Sequence, residues 1–183
     1  MFQRIEAPTA KTLRDGRCVT IRPLAEGDGP ALLAFGRALP VDDWQYLEDD
    51  LQRPEIITRL VNAHRAENWR QLVAVAHGGE IVGYAAVRRL PGWSSHVGDI
   101  QLIVGGAWRR SGLGTALAEA IFGAAQELGV AKVIVEVLDR QVGGLAIFQR
   151  LGFHIEGAFT NHARDRYGNH HDLVILAYHI EER

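Results

Sequence analysis

The sequence predicts a single α/β or α+β domain with mixed strands. Short β-branched apolar runs alternate with stretches of helical spacing. Two of those runs flank Gly78-Gly79, a hairpin signal. The length of 183 residues fits one domain, and 47% hydrophobic with 23% charged residues is ordinary globular usage. A chain of this size buries roughly 70% of the surface it exposes unfolded, enough for a core without staples.

Residues 1–16 read as a flexible N-terminal extension of that domain. Cys18 to Leu24 alternates and carries β-branched residues, so it predicts an opening strand that Pro23 limits. From Glu26 to about His64 the spacing is helical, broken by Pro40 and Pro54 into two helices joined by an acidic turn. Leu72–Ala76 and Ile81–Val87 form the hairpin, with a type I′ turn expected at Gly78-Gly79. His96–Val104 is the next strand. A helix follows from about Leu113 to Leu128, with Ala116, Leu117, Ala120, Ile121, Ala124 and Leu128 on one stripe and Gly129 closing it. Lys132–Leu138 reads as a strand and Gly144–Leu151 as a short helix. Phe153–Phe159 and Leu173–Ile180 make a final pair of strands joined by a polar loop with Tyr167-Gly168-Asn169.

Several function classes fall away on composition. The net charge of −2 argues against a nucleic acid as the main partner. The single cysteine, Cys18, makes no internal disulfide. No apolar window approaches the roughly 18 residues that span a membrane, and the first residues hold no apolar block like a secretory signal. A soluble cytoplasmic protein is the expectation.

The richest segment is Val104-Gly105-Gly106-Ala107-Trp108-Arg109-Arg110-Ser111-Gly112-Leu113-Gly114-Thr115, between an apolar strand and the long helix. The first turn of a helix leaves amides without partners, and the macrodipole adds positive charge there. Gly112 and Gly114 let an anion approach those amides, and Arg109 and Arg110 add donors suited to phosphate oxygens. A nucleotide P-loop fails, because no Lys is present. A dinucleotide fingerprint wants a third glycine where Leu117 stands, although Glu136 lies at a suitable later position. A plain strand-to-helix turn stays open beside an unspecified phosphate site.

Arg109-Arg110-Ser111-Gly112-Leu113-Gly114 resembles the Gln/Arg-x-x-Gly-x-Gly/Ala motif of the GNAT superfamily of acyl-CoA-dependent N-acyltransferases. Phe148-Gln149-Arg150-Leu151-Gly152-Phe153-His154-Ile155-Glu156-Gly157 is similar to the family's aromatic-x-x-Leu-Gly-Phe-x-x-Glu-Gly block. The resemblance covers roughly Val19 to Ile180, and the order of elements fits it. It implies a mostly antiparallel central sheet flanked by helices, acetyl-CoA as cosubstrate and no metal. It also implies that the amides from Arg109 to Thr115 hold the CoA pyrophosphate. The strand ending Leu102-Ile103-Val104 would pair with the pantetheine arm and aim an amide at the thioester carbonyl.

Transfer to an amine requires a neutral nucleophile. A lysine ammonium near pKa 10.4 costs roughly 4.6 kcal/mol to deprotonate at pH 7, so a carboxylate in the cleft is needed. Asp99 and Glu136 both sit inside otherwise apolar strands. Asp99 resembles the catalytic Glu of bacterial protein-lysine acetyltransferases and is the first choice of base. Glu136 matches the Glu of ribosomal-protein N-terminal acetyltransferases. Each also has a plain reading: Asp99 as a partner of an arginine, Glu136 as a residue on a wet strand face.

The chain departs from the family at Phe148, where many members carry a Tyr that protonates the leaving thiolate. Free thiols have a pKa near 8.5, so the thiolate leaves tolerably without help. Protein-lysine acetyltransferases commonly lack that Tyr, and Gly143 fits their pattern. Gln141 replaces the usual Asn and can still hydrogen-bond the cofactor. Cys18 is remote from the thioester in family terms, so direct attack in a ternary complex is expected. The acceptor implied is a primary amine, with a protein lysine preferred over a small molecule. A homodimer is a family expectation. A catalytically silent acyl-CoA-binding module and a dinucleotide enzyme are the alternatives.

Asp42, Asp43, Glu48, Asp49 and Asp50 form an acidic cluster around Trp44 and Tyr46. It reads first as a solvated helix face, and second as a lip that attracts a cationic amine. His162, His170, His171 and His179 lack the spacing of a metal site. Trp93 and Trp108 are expected in packing roles in loops near the cofactor strand.

Overall fold

The computed structural model describes residues 7–44 and 49–180. Tyr46 and Glu48 of the acidic cluster lie outside them. Among the described residues eight strands form one sheet: β1 (Thr9–Thr12), β2 (Cys18–Pro23), β3 (Trp69–Ala76), β4 (Ile81–Arg89), β5 (Val97–Val104), β6 (Lys132–Leu138), β7 (His154–Arg164) and β8 (His170–His179). Their spatial order is β1-β2-β3-β4-β5-β6-β8-β7, antiparallel throughout except for the parallel pair β5–β6. That single parallel pair contradicts a doubly wound dinucleotide fold, whose sheet is mostly parallel.

The helices cover the two sheet faces unequally. On one side α4 (Leu113–Glu127) and α5 (Val142–Arg150) seal the larger core, in which Leu117, Ile121, Phe122 and Phe153 are almost fully buried. On the other, α1 (Gly29–Ala38) and α3 (Pro54–Asn62) cover a smaller core around Leu32, Leu60, Val73 and Tyr84. Between them, α2 (Val41–Trp44) is a single turn after Pro40. Helix α4 buries more than the stripe expected of it, because Ala118, Phe122 and Ala125 are also enclosed. Phe122 meets Phe153 and Tyr178 edge-on at 5.6 and 4.8 Å. Among the described residues no helix is long and apolar enough to cross a membrane.

Three sequence expectations need correction. The expected N-terminal extension joins the fold from Thr9: β1 pairs with β2, and Leu13 is buried. The β3–β4 turn is not type I′, because only Gly79 has positive φ, at 90°. Instead the Gly79 amide bonds the Ala76 carbonyl at 2.9 Å and Ala76 pairs with Glu80, giving a three-residue loop. Finally, β7 and β8 reach well into the stretch expected as a polar loop. Register shifts at Ile155/Gly157 and Phe159/Ala163 let their pairing continue to Arg164 and His170.

Candidate active site

The parallel ladder between β5 and β6 covers only Val97–Ile100 against Lys132–Val135. Strand β5 continues to Val104 on the β4 ladder, while β6 continues to Leu138 on the β8 ladder. The two strands therefore splay beyond Ile100 and Val135, opening a slot at their C-terminal ends. Leu102 and Val104 pack toward α4, and Ile103 packs toward the opposite core. A ligand arm lying in this slot meets strand backbone on both walls.

At the open end of the slot the chain turns into α4. Arg110 has φ 60° and Gly112 φ 92°, so the turn reverses hand twice and curls its amides into a concavity of the kind that holds anions. Gly112 caps α4 in the left-handed region, where a side chain is strained. The Ser111 hydroxyl is spent on structure: it donates to the Trp108 carbonyl at 2.6 Å and accepts from the Leu113 amide at 3.3 Å. That leaves the Gly114 and Thr115 amides as the first-turn donors without intrahelical acceptors. Gly114 is small for a second reason, since a Cβ there would lie 2.9 Å from Ile147 Cδ1 on α5. The N-terminal hairpin braces the turn from outside: the Arg14 amide bonds Ser111 O at 2.9 Å, and Arg17 stacks 3.9 Å over Trp108. The turn, the free first-turn amides and the slot together fit a phosphate-bearing ligand with an extended arm.

Two residues expected near that ligand have other work. The Gln141 side-chain oxygen accepts from the Leu138 amide at 3.0 Å, closing the turn from β6 into α5. Phe148 is 3% exposed and packs edge-on to Phe153 at 5.2 Å, inside the larger core. Arg109 does not lean on the anion turn; its guanidinium pairs with Asp43 of α2.

Register places the two carboxylates on one sheet face. Asp99 pairs with Ile134 across the parallel ladder, so Gln101 and Glu136, each two residues on, share that face at the apex of the slot. Asp99 is half-buried and lies directly across from Arg88 on β4. Glu136 is exposed on the slot wall.

A small cavity of about 10 Å³, water-sized, is lined by Asp49, Trp69, Ala86, Arg88, Asp99 and Gln101. Arg88 also stacks on Trp69 at 5.6 Å, and Asp49 pairs with Arg59. Beneath it the Tyr84 hydroxyl donates to Gln71 at 2.8 Å, and Gln71 donates to the Leu60 carbonyl at 2.8 Å. Burial pushes the Tyr84 phenol far above its ordinary pKa, with Asp49 adding to the effect, so it is a structural donor. A larger groove of about 340 Å³ lies between α1, the start of β4 and Gly105–Trp108, and Glu80 is the one ionisable group among the described residues that line it. The chemistry therefore gathers in the smaller space. Cys18 is exposed on β2, three strands away from β5. Among the described residues no group of three His, Cys, Asp or Glu side chains is placed to hold a metal ion.

Sequence reasoning missed Arg88, Trp69, Gln101 and Arg140. Arg88 was findable by counting register back across the loop between β4 and β5. Arg140, which reaches Asp42 at 4.0 Å, had no local signal.

Residues 34–153 match the profile of the acetyltransferase (GNAT) family, about two thirds of the chain. No curated protein matches the chain by sequence. Among solved structures, a GNAT-family acetyltransferase from Streptococcus pneumoniae superposes with a TM-score of 0.78 at 25% identity, covering 88% of this chain and 99% of that one. A ribosomal-protein-alanine N-acetyltransferase from Brucella melitensis gives 0.73 at 25% identity, covering 87% and 99%. A candidate acetyltransferase from Salmonella typhimurium, solved with its cofactor acetyl-CoA, gives 0.78 at 18% identity, covering 90% and 95%. On the strength of that profile, with the splayed strands and the glycine turn beside it, the chain belongs to the GNAT acetyltransferase family.

Proposed function

We propose that the protein transfers the acetyl group of acetyl-CoA to a primary amine by direct attack, with Glu136 taking the ammonium proton. The observation that carries this reading is the splay itself, which sets a ligand slot and an ionisable apex side by side. Acetyl-CoA supplies an activated thioester. The Gly114 and Thr115 amides and the concavity at Arg110–Gly112 bind its phosphates. The backbone of Leu102–Val104 holds the arm in the slot and offers amide donors near the reacting carbonyl.

Glu136 takes precedence over Asp99 because the two acids differ in their surroundings. Asp99 has Arg88 opposite it, so this pair shapes the acceptor pocket and attracts charged groups. Glu136 is open to solvent at the slot wall and can accept a proton directly or through a water. The cavity beside Asp99 is lined by two further groups of opposite charge, Asp49 and Arg88, and its carboxylates favour a cationic amine such as a lysine side chain or a peptide N-terminus. Phe148 offers no proton to the departing thiolate. That one feature favours a second reading, a silent acyl-CoA-binding module.

Free-thiol release from acetyl-CoA, measured with lysine peptides, N-terminal peptides and small amines, separates the two. Amine-dependent release that collapses in Glu136→Gln supports catalysis with Glu136 as base. CoA binding without release from any amine supports the silent module. Full turnover in both Glu136→Gln and Asp99→Asn overturns the carboxylate mechanism.

A further inference from the structure

We propose that α2 is an acidic clasp over the slot, and that the CoA phosphates release it by taking Arg109 and Arg140 from Asp43 and Asp42. This rests on the acetyl-CoA reading above. Arg109 belongs to the turn after β5, and Arg140 to the turn after β6. They are thus the two basic lips of the splay. Asp43 pairs with Arg109, and Asp42 approaches Arg140 at 4.0 Å, so one helical turn bridges both lips. The Asp43 side chain is only 12% exposed, whereas Arg109 is 49% exposed and reachable from solvent.

Helix α2 has four residues, far below the length at which a helix holds itself. The contacts with Arg109 and Arg140 help to hold it in place, beside the hydrogen bond from the Asp43 amide to the Pro40 carbonyl at 2.9 Å. The Arg140–Asp42 pair, exposed on both sides, is worth a factor of only about 1.5–5 in an equilibrium constant. A guanidinium fork binds phosphate oxygens through two parallel hydrogen bonds and gains more from a multiply charged ligand. The exchange therefore runs toward the cofactor. It also hands two carboxylates to the acceptor side of the sheet, where Asp49 and Asp99 already stand. A cationic amine then meets a more acidic mouth after CoA has bound.

The test is calorimetric titration of CoA into the wild type, Asp43→Asn, Arg109→Ala and Arg140→Ala at low salt, with hydrogen exchange followed across α2. Removing the competitor tightens the Asp43→Asn Kd about 2–5-fold, and that gain shrinks in high salt. Each arginine variant weakens CoA several-fold, and CoA speeds amide exchange in α2 of the wild type. An Asp43→Asn variant that binds CoA no tighter, or α2 amides that slow when CoA binds, overturns the clasp while leaving the cofactor reading intact. A wild type that takes up no CoA overturns both.

Discussion

On the α4 side of the sheet the ligand site is made of backbone: a turn of alternating hand, two unpartnered helix amides and strand edges, all fastened to a dense apolar core. On the α1–α3 side it is made of side chains: Asp99 facing Arg88, Asp49 paired with Arg59, and α2 tied down by Arg109. The first arrangement suits a cosubstrate whose phosphates and amides recur in every reaction. The second suits a variable partner, because charged side chains can be exchanged without rebuilding the core. The difference teaches where specificity resides.

Glu136→Gln gives the largest effect. Loss of a positioned base lowers kcat about 10²–10⁴-fold, while the CoA Kd, read by calorimetry, stays within two-fold. A comparable fall in CoA affinity would show that the two sides are not separable.

Leu117→Ala and Leu60→Ala form a matched pair, since both side chains are fully buried, one in each core. Each costs about 2–5 kcal/mol of stability in denaturant unfolding. Only Leu117→Ala loosens CoA, because α4 presents the anion-binding amides. Equal CoA affinity in the two variants would break the comparison.

Gly112→Val forces a β-branched residue to φ 92°. It costs about 1–3 kcal/mol and weakens CoA at least ten-fold, both visible as a smaller thermal shift with ligand. Gly114→Ala presses on Ile147, costs about 1–3 kcal/mol through overpacking, and weakens CoA less, because its φ needs no glycine.

The smallest effect concerns acid stability. The Arg22 guanidinium hydrogen-bonds Asp28 and, against an opposing burial penalty, holds its carboxyl below the ordinary range; the Ala25 amide helps. A depressed carboxyl stabilises the fold above its unfolded value, near pH 4, and that contribution is lost as pH falls through the folded value. Asp28→Asn therefore lowers stability at pH 7 by up to about 1 kcal/mol, and the gap narrows as pH falls below about 4. A constant gap between the two proteins from pH 7 to pH 2 would remove the carboxylate from the explanation.

Much of the α4 side was legible in the sequence. Gly112 and Gly114 sit between a β-branched run and an amphipathic one, and each of those signals is local. The reasons behind them were less legible. Gly114 is small partly to admit α5, and the Ser111 hydroxyl caps its own turn. The α1–α3 side was barely legible. The acidic cluster was visible as charge, but its partners Arg109 and Arg140 lie about 65 and 100 residues downstream in the numbering, where no periodic pattern connects them.

The hydrophobic pattern by itself determined the order of strands from β2 to β8, and the two glycine motifs carried the resemblance to the family. Both act over a few residues through φ, ψ and side-chain period. Tertiary structure alone decided that β8 inserts between β6 and β7, that β5 and β6 part after Ile100, and that Asp99 faces Arg88 while Glu136 faces the slot. Strand order and register arise from pairings between distant segments, and a shift of one residue turns every side chain to the other face. That parity puts Asp99 and Glu136 on one face, and they differ in the strand that lies beside each, β4 for Asp99 and β8 for Glu136.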